Sequence, residues 1–213
     1  MTARRALRHE AGAADRMVLL PGAQMQPEHY AEAGFFDAVA RRGLALDLVA
    51  VDLGPEAVSA GAPLAALQAQ ILAPARRRYR RVWLGGISLG GLMALAHAAD
   101  TPGAADGLCL LAPYPGSRLT LNAIERAGGV DAWQPTAEQI ADPEFRSWRW
   151  LKRPPAGFPV FVGYGTEDRF ADGMQRLAER FPPAARCALP GAHDWPVWQR
   201  LWAHFLDLGE FRA

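Results

Sequence analysis

The sequence is poor in cysteine, balanced in charge and without a long apolar run. Among its 213 residues, 23 are basic and 22 are acidic, and the net charge is +1. This balance creates no global field that would attract nucleic acid or an anionic membrane, so small molecules are the expected partners. The two cysteines, Cys109 and Cys187, lie in apolar runs, which predicts buried reduced thiols rather than disulfides or a metal site.

No segment resembles a targeting or membrane segment. Residues 1–16 carry four arginines and no continuous apolar stretch, so they are predicted to be an N-terminal tail ahead of one domain, residues 17–213. No run is long enough to span a bilayer. The basic run 76–81 precedes a strand and is predicted to be a solvated helix end, with a phosphate or RNA patch as the weaker alternative. We therefore expect a cytoplasmic protein with no membrane or nucleic-acid partner, and the sequence predicts no oligomeric state.

Short aliphatic runs alternate with longer amphipathic segments, which is the rhythm of a parallel sheet flanked by helices. The predicted strands are Met17 to Leu20, Leu46 to Val51, Val82 to Gly85, Gly107 to Leu111, Pro159 to Tyr164 and Arg186 to Leu189. The predicted helices are His29 to Arg42, Pro63 to Tyr79, Ser88 to Ala99, Ala171 to Phe181 and Trp195 to Leu208. The fold class is therefore α/β, an open and mostly parallel sheet of about six strands.

Residues 114–158 interrupt this rhythm with two possible helices, around 119–127 and 136–150. An insertion of this length is uncommon unless it has a structure or function of its own. Its aromatic residues, among them Trp133 and Trp148, either roof a pocket or seal the insertion onto the body. We predict a small cap-like insertion before the strand that carries the acid.

The chemistry starts at Gly86-Ile87-Ser88-Leu89-Gly90, which lies between a predicted strand and an alanine-rich helix. This pattern is typical of the nucleophile elbow, a strained turn that needs very small residues two positions to either side of the serine. Ser88 is the predicted nucleophile, and the Leu89 amide is a predicted oxyanion donor. The plainer interpretation, an ordinary serine in a glycine-rich turn, is disfavoured by the strand before it and the helix after it.

A serine nucleophile needs a base, and His193 is the best-placed histidine. It follows the last predicted strand in a Pro-Gly-Ala turn, at the edge of a parallel sheet where catalytic groups gather. The acid belongs on the loop after the fifth predicted strand. Spacing alone leaves Glu167, Asp168 and Asp172 as candidates there, and a carboxylate serving only as a helix cap is the plainer alternative.

The order of strand, elbow, acid loop and histidine loop resembles the α/β-hydrolase superfamily over nearly the whole chain. The resemblance implies that the family pattern Gly-x-x-Asp places the acid on Asp168, and that the two leading strands of the family are missing. After the first predicted strand the family often has His-Gly, where this chain has Pro21-Gly22, and the second oxyanion donor is then carried onto Ala23, with Gln24 as the alternative. The segment 191–198 is also similar to the His-Asp-Trp segment of enterochelin-esterase-like proteins.

These residues together predict a serine hydrolase that cleaves a small ester through an acyl-enzyme, with no metal or organic cofactor. The alternatives are a thioesterase or acyltransferase with the same triad, or a non-catalytic binding protein of the same fold. The substrate pocket is expected to accept an apolar group, although each wall residue is as readily explained by ordinary packing. The candidate substrate-binding residues are Gln24, Met25, Tyr114, Phe170 and Trp195.

Overall fold

The computed structural model describes residues 5–52 and 62–212. Within them one sheet has seven strands: β1 (Ala6–His9), β2 (Asp15–Leu20), β3 (Leu46–Val51), β4 (Arg81–Ile87), β5 (Gly107–Leu111), β6 (Val160–Gly165) and β7 (Arg186–Leu189). Their spatial order is β1-β3-β2-β4-β5-β6-β7, with β1 antiparallel and all other neighbours parallel. The predicted open, mostly parallel sheet is confirmed, and the carboxyl ends of β2 to β7 meet at one edge.

The additional strand is β1, which lies in the predicted N-terminal tail. Ala6 pairs with Val51 and His9 pairs with Leu48, so this segment forms the antiparallel edge of the sheet. The prediction of a tail over residues 1–16 is therefore wrong for Ala6–His9, which belong to the sheet. The prediction that both leading strands of the family are missing is also wrong, because β1 is present. A short edge strand is half exposed and needs no apolar alternation, which is why its sequence gave no strand signal.

Charged residues at the amino edge explain why β2 starts earlier than Met17. Asp15 is buried and accepts hydrogen bonds from Arg80, at 3.0 Å, and from Arg81. Asp47, at the start of β3, is buried and accepts a hydrogen bond from the Tyr79 hydroxyl at 2.8 Å. Since buried carboxylates need such partners, the pairing of these side chains extends the sheet into a polar stretch of sequence.

Helices cover both faces of this sheet. They are α1 (Pro27–Glu32), α2 (Phe35–Arg41), α3 (Ala62–Leu67), α4 (Ala73–Arg78), α5 (Leu89–Asp100), α6 (Arg118–Arg126), α7 (Ala137–Ala141), α8 (Pro143–Lys152), α9 (Ala171–Ala178) and α10 (Trp195–Asp207). A π-helical turn, Gln68–Leu72, joins α3 to α4, and a 3₁₀ turn, Pro183–Ala185, precedes β7. In the described ranges, no helix is long and apolar enough to cross a membrane.

Three predicted helices are interrupted in the structure. The helix expected from Pro63 to Tyr79 corresponds to α3 and α4 joined by the π-helical turn. The helix expected from His29 to Arg42 splits into α1 and α2 at Gly34, whose φ of 74° is left-handed and ends a helix. The helix expected over 136–150 splits into α7 and α8 at Asp142, because the following Pro143 has no N–H to continue the first helix.

The insertion 114–158 consists of α6, α7 and α8, which lie between β5 and β6 in the chain. Arg146 of α8 forms an ion pair of 2.9 Å with Asp100 at the end of α5. Trp148 is buried, and its indole N–H donates to the Pro115 carbonyl at 2.7 Å. Trp133 is also buried. Both tryptophans belong to the main hydrophobic core, and α8 packs against α5, so the insertion is packed onto the body.

The arginines of the basic run 76–81 mostly form ion pairs within the chain, and the two cysteines are buried. Four of the five arginines between 76 and 81 form ion pairs, with Asp106, Glu10 and Asp15 as partners. Most of the positive charge of this run is thus neutralised within the chain. Both cysteines are free and buried, as predicted, and burial raises the pKa of each thiol.

Candidate active site

Ser88 lies on a strained turn between β4 and α5. Its φ of 54° and ψ of −115° are unfavourable for a residue with a side chain. The two glycines around it are required by close packing. A Cβ at Gly86 would lie 2.5 Å from the carbonyl oxygen of Leu20, and a Cβ at Gly90 would lie 1.9 Å from the same oxygen. The elbow therefore forms only because both positions lack a side chain.

Backbone hydrogen bonds fix Ser88 relative to the neighbouring strand. Its N–H donates to the Leu111 carbonyl at the end of β5, at 3.0 Å, and its own carbonyl accepts from the Tyr114 N–H at 2.9 Å. The Gly91 N–H donates to the same Ser88 carbonyl at 3.0 Å. These bonds direct the hydroxyl to the carboxyl edge of the sheet, where the acid and histidine loops also lie.

His193 reaches Ser88 from the loop after β7. Its Nε2 lies 2.9 Å from the Ser88 Oγ, and its Nδ1 is hydrogen-bonded to Asp168 Oδ2. Two aromatic rings hold the imidazole: Phe170 and Trp198 contact it edge-on, with ring centroids at 5.7 Å and 5.1 Å. The imidazole is thus fixed by a hydrogen bond at each nitrogen and by contacts with two aromatic rings.

The structure distinguishes the three candidate acids. The Asp168 side chain is 0% exposed, and its second oxygen accepts the Phe170 N–H at 2.9 Å. Glu167 is exposed, but its backbone N–H donates to the Gly191 carbonyl at 2.9 Å, which ties the acid loop to the histidine loop. Asp172 is exposed in the first turn of α9. Asp168 is therefore the carboxylate that the fold brings to His193.

The loop after β2 lies against the nucleophile. A Cβ on Gly22 would be 3.5 Å from the Ser88 Cβ. The loop closes on itself, because the Gly22 N–H donates to the Met25 sulfur at 3.2 Å and the Met25 N–H donates to the Gly22 carbonyl at 3.1 Å. Gln24 has a left-handed φ of 62° within this turn, and Ala23 lies exposed at its tip.

Leu89 occupies the first position of α5. The first four N–H groups of a helix have no partner within it and carry the positive end of its dipole. The amide of Leu89 is adjacent to Ser88 in the chain and belongs to this group.

Among the residues that the structure describes, no group of three or more His, Cys, Asp or Glu side chains is arranged to hold a metal ion.

The candidate wall residues fall into two groups. Tyr114 and Phe170 contact each other edge-on at 5.2 Å, and Phe170 continues this contact to His193. Trp195 instead packs against Tyr30 at 6.3 Å and Trp198 at 5.1 Å. The structure thus brings Tyr114 and Phe170 to the triad, while Trp195 packs in an aromatic cluster and has no ring contact with His193 among the described residues.

A family model described as "Alpha/beta hydrolase family" matches residues 17–210. The chain belongs to this family. No curated protein matches this alpha/beta hydrolase in sequence at a significant level. Several solved structures share its fold at low sequence identity. A fluorophosphonate-binding serine hydrolase of Staphylococcus aureus superposes with a TM-score of 0.68 and 11% identity, covering 97% of this chain and 97% of that chain.

Two further structures resemble this alpha/beta hydrolase. For a monoacylglycerol lipase of Paleococcus ferrophilus the TM-score is 0.64 and the identity 14%, with 96% of this chain and 98% of that chain covered. For the enterobactin esterase of Shigella flexneri the TM-score is 0.65 and the identity 15%, with 97% of this chain and 55% of that chain covered. At such identities the similarity establishes the fold alone.

Sequence reasoning missed Trp198 as a contact of the histidine in this alpha/beta hydrolase. Trp198 lies in the first turn of α10, five residues after His193, and Asp194 caps that helix by accepting the Val197 N–H at 3.2 Å. The helix turns Trp198 back toward the imidazole and directs Trp195 away from it. The available signal was the Asp-Trp-Pro start of a helix, with an aromatic residue one turn further on.

Proposed function

We propose that the protein is a serine hydrolase that cleaves a small ester through an acyl-enzyme. One observation carries the proposal: Ser88, His193 and Asp168 form a continuous line of hydrogen bonds at the carboxyl edge of the sheet. Their order along the chain, serine then acid then histidine, is the order found in alpha/beta hydrolases. The strained backbone of Ser88 adds support, since such strain is retained mainly where function requires it.

In this mechanism the Ser88 Oγ attacks the ester carbonyl while its proton passes to His193 Nε2. Asp168 accepts the Nδ1 proton in a hydrogen bond, which holds the tautomer with a free Nε2 and stabilises the imidazolium that forms. The amides of Leu89 and Ala23 donate to the developing oxyanion, and removing such a donor costs about 3 kcal/mol in a related setting. The imidazolium then protonates the departing alcohol oxygen, and the acyl group stays on Ser88.

Deacylation repeats the sequence with water as the nucleophile. His193 takes a proton from the water, the hydroxyl oxygen attacks the acyl carbonyl, and the imidazolium returns the proton to Ser88 Oγ as the carboxylic acid leaves. Every proton transfer uses Nε2, the nitrogen that lies 2.9 Å from the serine. Similar structures are named for both leaving groups, a monoacylglycerol lipase and an enterobactin esterase for oxygen esters and an S-formylglutathione hydrolase for a thioester, so both kinds of ester belong in the test.

A fluorophosphonate probe tests the proposal. The probe should label Ser88, identified by mass spectrometry of the modified peptide, and Ser88→Ala should abolish both labelling and hydrolysis of 4-nitrophenyl butyrate. Loss of a triad nucleophile has cost about 10⁶-fold in turnover in a well-studied protease. Ser117→Ala is the matched control, because the Ser117 hydroxyl bonds only to Thr120 in the first turn of α6, and it should leave labelling and turnover unchanged. Labelling of Ser117 or Ser147 in place of Ser88 would refute the assignment.

Measuring an acyl thioester beside the oxygen ester separates the thioesterase alternative. Both leaving groups use the same triad, so Ser88→Ala should abolish both reactions. The ratio of the two kcat/KM values then assigns the substrate class. Hydrolysis of the thioester alone would replace the esterase proposal by a thioesterase.

A further inference from the structure

Arg169 follows the acid Asp168 directly and is exposed at the rim of the site. Its guanidinium carbon lies 4.7 Å from the centre of the Phe170 ring. The same ring contacts His193 and Tyr114. A chain of two contacts therefore joins the positive charge of Arg169 to the imidazole of the triad.

The charge of Arg169 has no ion-pair partner within 4 Å among residues 5–52 and 62–212, in contrast to the eleven arginine ion pairs found there. Glu167 and Asp172 flank it in sequence, yet neither carboxylate reaches it. A guanidinium stacked on an aromatic face keeps the N–H groups along its edge available for a carboxylate. The stacking also restricts the side chain, which lowers the entropy lost when an anion binds.

The charge acts on the neighbouring wall of the site. Burial raises the pKa of the Tyr114 hydroxyl and Glu144 raises it further, while Arg169 opposes both. Arg169 is thus electrostatically coupled to the ring that packs against Phe170. The rim thus combines two aromatic surfaces, suited to the carbon chain of a substrate, with the guanidinium group of Arg169.

We propose that Arg169 binds a carboxylate carried by the substrate, so that the enzyme prefers esters with an anionic group a few bonds from the scissile carbonyl. The proposal rests on the proposed serine-hydrolase function. The planar guanidinium matches a carboxylate in two parallel hydrogen bonds, a pairing that fixes orientation as well as affinity. Arg169 then determines specificity, and Tyr114 and Phe170 hold the atoms between the anion and the ester.

The test compares esters that differ only in charge. One pair is monoethyl glutarate and its neutral analogue, in which two methyl groups replace the carboxylate oxygens. A second pair carries the carboxylate on the alcohol side, as the butyrate ester of glycolate and its neutral isostere. Hydrolysis is followed by acid release at constant pH. We expect a higher kcat/KM for the anionic member of at least one pair, and added salt should reduce this preference because it screens exposed charges.

Arg169→Ala should raise KM for the preferred anionic ester about tenfold, as expected for lost hydrogen bonds to a charged group, and leave its kcat and both constants for the neutral ester nearly unchanged. Arg169→Lys, which keeps the charge without the fork, should lie between the two. Arg77→Ala is the matched control, since Arg77 is an exposed arginine in the last turn of α4, ahead of the amino end of β4.

Equal kcat/KM values within each pair, or an equal loss for charged and neutral esters in Arg169→Ala, would overturn this inference while leaving the serine-hydrolase proposal intact. The proposed function would fail differently, with no labelling of Ser88 and no turnover of any ester, and the inference would then fail with it.

Discussion

Asp168 and Glu167 are adjacent carboxylates that the fold places in opposite environments. Asp168 is buried and accepts hydrogen bonds from His193 and from the Phe170 N–H. The Glu167 side chain is exposed, and that residue contributes a backbone bond to Gly191. Sequence spacing left both open, because the choice depends on a turn in which Gly165 accepts the Asp168 N–H at 3.3 Å. At the scale of single residues, three-dimensional contacts assign what spacing did not.

The variants Asp168→Asn and Glu167→Gln test this difference. Asparagine keeps the shape of Asp168 but offers a donor where His193 needs an acceptor, which favours the wrong tautomer and cost about 10⁴-fold in turnover in a protease precedent. Glu167→Gln should cost less than about tenfold, as expected for an exposed carboxylate. The measurement is kcat/KM on one ester, after circular dichroism has verified that both variants fold. A larger loss in Glu167→Gln would move the orienting role to that residue.

At the scale of elements, the sequence predicted best what short stretches of chain decide locally. The elbow is specified by Gly86 and Gly90 on either side of Ser88, so a pattern of five residues was sufficient. β1 and the start of β2 depend on partners remote in sequence, and the break at Gly34 depends on a left-handed φ that other contacts permit. The local sequences of β1 and of the start of β2 carry no apolar period, and the helical pattern of residues 29–42 continues through Gly34, so the sequence pattern predicted neither these strand segments nor the break.

Helix α5 contains a buried histidine that the proposed mechanism does not use. His97 is 1% exposed, and both of its ring nitrogens lack a hydrogen-bond partner among the described residues. Burial lowers the pKa of His97, and Asp100 opposes this shift. A lowered pKa means that the unfolded chain binds this proton more readily than the folded one. The folded state is therefore penalised as pH falls below the usual histidine range, and the penalty is absent above it.

His97→Leu should remove this acid sensitivity. At pH 7 the variant should be as stable as the parent or more stable, because it buries no unsatisfied nitrogen. Between pH 7 and pH 5 the free energy of unfolding of the parent should fall by up to about 2 kcal/mol because of His97, and that of the variant should not show this fall. Urea unfolding at several pH values measures both, with His204→Gln at an exposed position of α10 as the control. Parallel pH profiles for the parent and His97→Leu would contradict the prediction.

At the scale of the whole molecule, the two edges of the sheet have different roles. The carboxyl edge carries Ser88, Asp168 and His193, with strain at the serine. The amino edge carries buried charges satisfied by hydrogen bonds, of which Asp47 is the centre. Asp47 accepts from the Ala11 and Ala13 amides as well as from Tyr79. These bonds tie the segment after β1 to β3 and to the end of α4, so the amino edge stabilises the sheet on which the site is built.

The electrostatics of Asp47 fix the direction of its pH dependence. Burial raises the pKa of Asp47, but hydrogen bonds from the Ala13 and Ala11 amides and from Tyr79, together with the charge of Arg16, outweigh this effect and lower the pKa. A lowered carboxyl pKa stabilises the fold at pH values above the unfolded value of about 4, and this contribution disappears as pH falls through the folded value.

Asp47→Asn should therefore lower stability without impairing catalysis. The substitution replaces the charged acceptor of three hydrogen bonds by a neutral amide, which weakens these bonds. We expect the free energy of unfolding at pH 7 to fall by about 2 kcal/mol. The kcat/KM on a small ester should stay within about twofold at a temperature where the variant is folded, because Asp47 lies at the opposite edge from Ser88. The difference in stability between parent and variant should shrink below pH 4.

Asp207→Asn is the matched control for this prediction, since Asp207 is 61% exposed and pairs with Arg42 at 2.7 Å on the surface. An exposed pair of this kind contributes about 0.2–1 kcal/mol to stability. Asp207→Asn should therefore lower the free energy of unfolding at pH 7 by less than Asp47→Asn does. Urea unfolding from pH 3 to pH 8 compares the two variants with the parent. Two outcomes would contradict the separate roles of the two edges that these contacts indicate. One is a large loss of kcat in Asp47→Asn at a temperature where the variant is folded. The other is a greater loss of stability in Asp207→Asn than in Asp47→Asn.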